Sequence, residues 1–237
     1  MRGTGDGAAA DGPRGGGPIA ACGANYRELV SASDLVYSTP AATPVEGQPI
    51  GNGRMGTMVW TTPGAIQFQI NRVDVFAVNK HHAALPQYGA TDYCGTCARV
   101  RLEVGGAAFG EGTGFTQHLS LYAAEETVCA EGVGVRCLVS AVSDVLVLEI
   151  TDDRPEPAPL RLVVSKWRPD RVVNGGHVAS LDLQGRDDAL VLSQTFREGE
   201  YSCSSAVAAR IAAPGVTVER ADGQSLALTA VPRRGRT

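Results

Sequence analysis

The chain has 237 residues, of which 43% are hydrophobic and 19% charged, and its formal net charge is −4. These values suit one large globular domain or two small ones, and they set aside a nucleic-acid partner, which needs a basic face. No stretch approaches the ~18 consecutive apolar residues of a membrane helix, so no membrane partner is expected, and the 29 glycines favour turns over long helices.

The chain opens with "MRGTGDGAAADGPRGGGPIAACG", which has no apolar core of a secretory signal. Residues 1–30 are expected to be a disordered Gly/Ala-rich segment, and the compartment stays open. From residue 31 to 231 the pattern is that of strands. "GQPIGNGRMGTMVW" contains Gly51-x-Gly53-x-x-Gly56, the spacing of a dinucleotide fingerprint. That fingerprint must follow a strand and open a helix. Here two prolines precede it and β formers follow it, so the glycines are expected to shape a kinked turn into a strand. "ARVRLEV" alternates Val100, Leu102 and Val104 with Arg99, Arg101 and Glu103. "FTQHLSL" alternates too, although Gln117 falls on its apolar face. "DVLVLEIT", "LRLVVSKW", "ALVLSQTF", "SAVAARIA", "VTVERA" and "SLALTAV" continue the series, giving roughly fourteen strands. Pro63-Gly64, Gly105-Gly106, Asn174-Gly175-Gly176 and Asp222-Gly223 mark turns, and "EVGGAAFGEGTG" is expected to be an exposed loop. With no convincing amphipathic helix, the fold class is all-β: a large antiparallel two-sheet sandwich with few or no helices. Residues 232–237, with Arg233, Arg234 and Arg236, are expected to be a solvated basic tail.

The residues that carry chemistry are scattered. The carboxylates Asp74, Asp92, Glu125, Glu126, Asp152, Asp153, Glu198 and Glu200 are not paired across a cleft by any spacing. The adjacent pairs 125–126 and 152–153 point to opposite faces of a strand and are expected to be solvated turn charges. His118 and His177 are expected to be surface histidines. Cys129 and Cys137 flank a hairpin turn, where two buried free thiols are preferred to a bridge. The segment "NKHHAALPQYGATDYCG" is long for a loop and carries Asn79, His81, Tyr88 and Tyr93, which suit hydrogen bonding and stacking on a sugar. His81 and His82 with Cys94 and Cys97 form a weak metal candidate, because adjacent histidines are an unusual pair and no second CxxC exists. Structural thiols are preferred, so no cofactor is expected.

"VYSTPAATPVEGQPIGNGRMGTMVW" followed by "IQFQINRVDVF" resembles the N-terminal domain of the glycoside hydrolase family 95 α-L-fucosidases. That family has an aromatic-x-x-Pro-Ala opening, a Gly-Asn-Gly-Arg turn, and a Leu-Asn strand ending in Leu-Trp. The ordered strands of "FTQHLSLYAAEETVCAEGVGVRCLVSAVSDVLVLEITDD" extend the likeness to about residues 35–164. The departures are Arg72-Val73 where the family is acidic, Phe76 for its Trp, and the loop after Asn79. They point to a divergent relative, and the chain is most similar to the domain-of-unknown-function family 5703, N-terminal part. The later "FREGEYSCSSAVAARI" is part of that likeness. The resemblance implies a β-supersandwich that packs on an (α/α)6 barrel. In the fucosidases the catalytic carboxylate lies on that barrel, so no catalytic residue transfers to this chain. The chain is then expected to be the non-catalytic part of a glycoside-hydrolase-like parent, and a fragment. Asn52, Arg54, Asn71, Asp74 and Asn79 are candidates for a carbohydrate rim or domain interface. A free-standing carbohydrate-binding module and a zinc-stabilised interaction domain are the alternatives.

Overall fold

The computed structural model describes residues 23–41, 43–77, 93–174 and 176–236. It is all-β apart from one six-residue helix, α1 (Tyr26–Ser31), and a short 3-10 turn at Pro44–Glu46. α1 begins inside the segment expected to be disordered and ends one residue beyond it; the part of that segment before Gly23 lies outside the described residues. Among the described residues, seventeen strands form three antiparallel sheets.

Sheet A is β1 (Leu35–Tyr37), β6 (Thr116–Ser120), β7 (Glu125–Ala130), β8 (Val133–Val139), β9 (Leu146–Asp152) and β17 (Gly235–Arg236), in that spatial order. Sheet B runs β15 (Thr217–Arg220), β16 (Ser225–Ala230), β10 (Leu160–Ser165), β5 (Tyr93–Glu103), β4 (Ala65–Ala77), β3 (Met55–Thr62) and β2 (Gln48–Gly51). Sheet C is β11 (Arg171–Asn174), β12 (His177–Arg186), β13 (Ala189–Glu198) and β14 (Tyr201–Arg210).

Register explains the core. Across sheet B, Val59 faces Phe68, Phe68 faces Val100, Val100 faces Val164 and Val164 faces Leu226. The next row is Thr61, Ile66, Leu102, Leu162 and Leu228. Because side chains alternate, these rows share one face, and burying each large apolar member stabilises by roughly 1.5–3 kcal/mol. The opposite face presents Gln67, Gln69, Arg99 and Arg101.

Both other sheets cover that apolar face. Leu148 and Ile150 of β9 and Val207 and Ala209 of β14 line one cavity above Val100, Leu102 and Leu162. The sandwich therefore has two layers, and its second layer is divided into sheets A and C where a single sheet was expected. Twist gives the physical reason: rotation of ~20–25° per strand accumulates over seven strands, and one covering sheet cannot stay aligned along all of them.

Other expectations are corrected locally. The loop expected to be exposed tucks Phe109 fully into the core, against Phe115. Cys137 is buried and Cys129 exposed; in the register Cys129 lies opposite Gly134 and Cys137 opposite Glu126, so the thiols do not face each other. In the basic tail Arg233, Arg234 and Arg236 stay exposed, while Gly235 and Arg236 also pair with β9. Glu126 and Asp152 are buried and not solvated turn charges. Both sit on the inward side of their strands, β7 and β9.

Candidate functional site

The turn between β2 and β3 is built from the glycines up. Gly51 pairs with Gly56, and Gly53 holds φ at +85°, where a side chain is strained. A Cβ on Gly51 would stand 2.8 Å from the Met55 carbonyl oxygen. Asn52 ties the loop: its Oδ1 accepts from the backbone N–H of Arg54 (2.9 Å) and Met55 (2.8 Å). Its Nδ2 donates to the carbonyls of Ser140 (3.0 Å) and Ser143 (3.1 Å), far away in sequence. The "GNG" segment is a kinked hairpin clamped to the loop between β8 and β9, with no helix to receive a phosphate.

Arg54 and the next strand meet the same loop. β4 departs from its pairing with β5 between Asn71 and Phe76, and within this bulge Val73 donates to the Arg54 carbonyl (3.0 Å). The bulge aims Arg72 at Asp144 (Nη1–Oδ2 2.5 Å) and at Asp74 (Nε–Oδ1 2.8 Å). Arg54 Nε holds the other oxygen of Asp144 at 2.8 Å. The result is an alternating chain, Arg54–Asp144–Arg72–Asp74. The hydrogen bond from Arg54 holds Asp144 below the usual carboxylate range, and that from Arg72 does the same for Asp74. A general acid needs the opposite shift. Asn71 is half-buried, and its Oδ1 has no hydrogen-bond partner among the described residues.

Around the ion chain stand exposed apolar side chains: Val142 at 91% relative exposure, Val73 at 60% and Val145 at 49%. Arg72 and Asp144 also line the mouth of a cavity of about 500 Å3 between sheets A and C. Its walls are apolar except for Ser205, Cys97 and the charged residues at its rim. Burial pushes the Cys97 thiol up, so it is not a ready thiolate.

Four of the rim or interface candidates are thus placed, and of the metal candidates Cys97 lines the cavity. Asn52, Arg54 and Asp74 come together, and Asn71 lies beside them on β4. Asn79, His81, His82 and Tyr88 lie outside the described residues, and so do the side chains of Tyr93 and Cys94 at the start of β5. Among the described residues, no group of three or more His, Cys, Asp or Glu side chains is placed to hold a metal ion.

Two features escaped the sequence. Asp144, the hub, sits in a loop with no periodic signal. His177 is buried and not a surface histidine. Its Nδ1 lies 2.8 Å from Glu198 Oε1 and its Nε2 lies 3.2 Å from Arg168 Nη1. Arginine only donates, so Nε2 accepts and Nδ1–H donates to Glu198. Arg168 in turn stacks 3.5 Å above the Trp167 ring centroid. The period-two pattern His177, Ala179, Leu181 placed this histidine inward and could have revealed it.

No curated protein matches the chain. The family DUF5703_N, described as Domain of unknown function (DUF5703), matches residues 36–195. The match runs from β1 into β13, takes in the clamped turn, the bulge and the 140–145 loop, and covers more than half of the sequence; the chain belongs to this family through its N-terminal domain.

Proposed function

We propose that this domain is a non-catalytic β-sandwich of a glycoside-hydrolase-like protein, which docks on a helical barrel and helps to shape a carbohydrate pocket there. The observation that carries it is the rim formed by the β2–β3 turn, the β4 bulge and the 140–145 loop. Its side chains suit an interface better than a catalytic cleft. Asp74 and Asp144 are held ionised by arginines, so neither is poised to give up a proton. Val73, Val142 and Val145 stand exposed beside fixed charges, the mixture of apolar contact and polar register found where two domains meet. The glycine turn and its Asn52 clamp hold this surface in one shape, which lowers the entropy lost on docking. The likeness of the "GNGR" turn to the fucosidase N-terminal domains supplies the sugar context.

The test starts with the reading frame beyond Thr237. A helical region encoded there is expressed separately and titrated with this chain in the analytical ultracentrifuge. Association is expected, weakened at least tenfold by Val142→Asp. Absence of any helical region, or glycosidase turnover by this chain alone, would sink the proposal.

A further inference from the structure

The gap between sheets A and C is bounded by strand edges. Residues 205–212 line it without interruption, and so do residues 144–148. Side chains alternate between the faces of a strand, so a strand that lines a cavity with every residue presents its edge. β14 pairs only with β13, and β9 meets β17 only at Thr151 and Asp152. Among the described residues, the outer edges of β9 over 146–150 and of β14 over 205–210 have no strand partner. Between them lies the cavity of about 500 Å3, floored by Val100, Leu102 and Leu162.

We propose that this seam is a strand-insertion slot for an extended, uncharged segment of a partner protein, about five residues long. Each open edge offers a row of N–H and C=O groups that a strand satisfies. A segment lying between two such rows bonds on both sides and joins sheets A and C. The shared edge of about five residues spans ~17 Å. Charge complementarity selects an uncharged occupant. Arg72 is paired with Asp144 and Asp74, and Arg210 with Asp188, so the rim neutralises itself and offers no counter-ion to a charged guest. The floor is apolar and the mouth meets solvent, so alternate residues of the segment are apolar. Ser205, Val207 and Ala209, the inward side chains of β14, are small and leave room for them.

The test uses the full chain and a capped hexapeptide of alternating valine and threonine, with calorimetry and amide hydrogen exchange. Saturable binding is expected, with exchange slowed at least tenfold at residues 146–150 and 205–210. A peptide with every valine nitrogen methylated, and one with glutamate for valine, are each expected to bind at least tenfold more weakly. Ala209→Trp fills the slot and abolishes binding. Should that variant not fold, the exchange map of the unaltered chain still decides. No binding, protection elsewhere, or equal binding of the methylated peptide overturns the proposal; the last result would mark the seam as a pocket for small apolar molecules. Docking of a helical region on the rim is measured separately, so either proposal can fail alone.

Discussion

Glu126→Gln separates a buried proton from the packing around it. Glu126 is fully buried between sheets A and B, where Gln117 Nε2 donates to its Oε1 at 2.5 Å and its Oε2 has no hydrogen-bond partner among the described residues. Gln117 also donates to the Val59 carbonyl and accepts from Thr61 Oγ1 at 2.9 Å. Burial outweighs the hydrogen bond and pushes the Glu126 carboxyl from 4.5 up to about 8. Between those values the folded chain holds one more proton at this site than the unfolded chain. Stability therefore falls as pH rises, by about 1.4 kcal/mol per unit, and levels off above about pH 8. At pH 7 the accumulated loss is about 3 kcal/mol relative to pH 4.5. Glutamine carries no such proton, so the variant loses this slope. It also places an amide where Oε2 stood, which shifts all its values by a constant ~1–3 kcal/mol. The slope is thus the observable. Urea midpoints measured at pH 5, 6, 7 and 8 should decline steadily for the natural chain and stay nearly level for the variant. Parallel curves would refute the claim that Glu126 enters the fold as a neutral acid.

Other perturbations test other parts of the structure. Gly51→Ala drives a Cβ to 2.8 Å from the Met55 carbonyl oxygen and should cost more than the ~1 kcal/mol expected for Gly53→Ala, both by urea denaturation. Thr61→Val removes the donor to Gln117 Oε1 inside the core and should lower stability by about 1–3 kcal/mol by the same assay. Asp144→Asn should lower the urea midpoint at low salt, and the difference should close in 1 M salt, because the ion chain is open to screening. Native alkylation followed by mass spectrometry should modify Cys129 quickly and Cys137 only after unfolding, since burial pushes the Cys137 thiol far up.

The strand pattern made most of the sandwich legible. Val100, Leu102 and Val104 are buried while Arg99, Arg101 and Glu103 are not, as period two requires. The division of the second layer was not legible, because it depends on which edges fail to pair and no local sequence encodes that. Glu126 was misjudged because two adjacent acidic residues suggest solvent. The same alternation that buries Val128 and Ala130 also turns Glu126 inward, diagonal to the one polar oddity already visible on β6, Gln117. Of the site, Asn52, Arg54 and Asp74 were found because polar residues beside a tight glycine turn have few places to go. Asp144 was not, since its partners lie 72 and 90 positions away in the chain.

The order of strands in sheet B bears on how the chain is made. β10 sits between β5, about sixty residues before it, and β16, about sixty-five after it. The meander β6 to β9 can close as soon as it leaves the ribosome, but the central sheet cannot. Until Leu226 and Leu228 emerge, Leu162 and Val164 face an open edge of the sheet. A protein cut where the family match ends, at residue 195, would sever β13 in mid-strand and lose β14 to β17 altogether. The residues after 195 are therefore expected to be needed for the matched region to fold, and nascent chains stalled before residue 230 should engage chaperones and resist native packing.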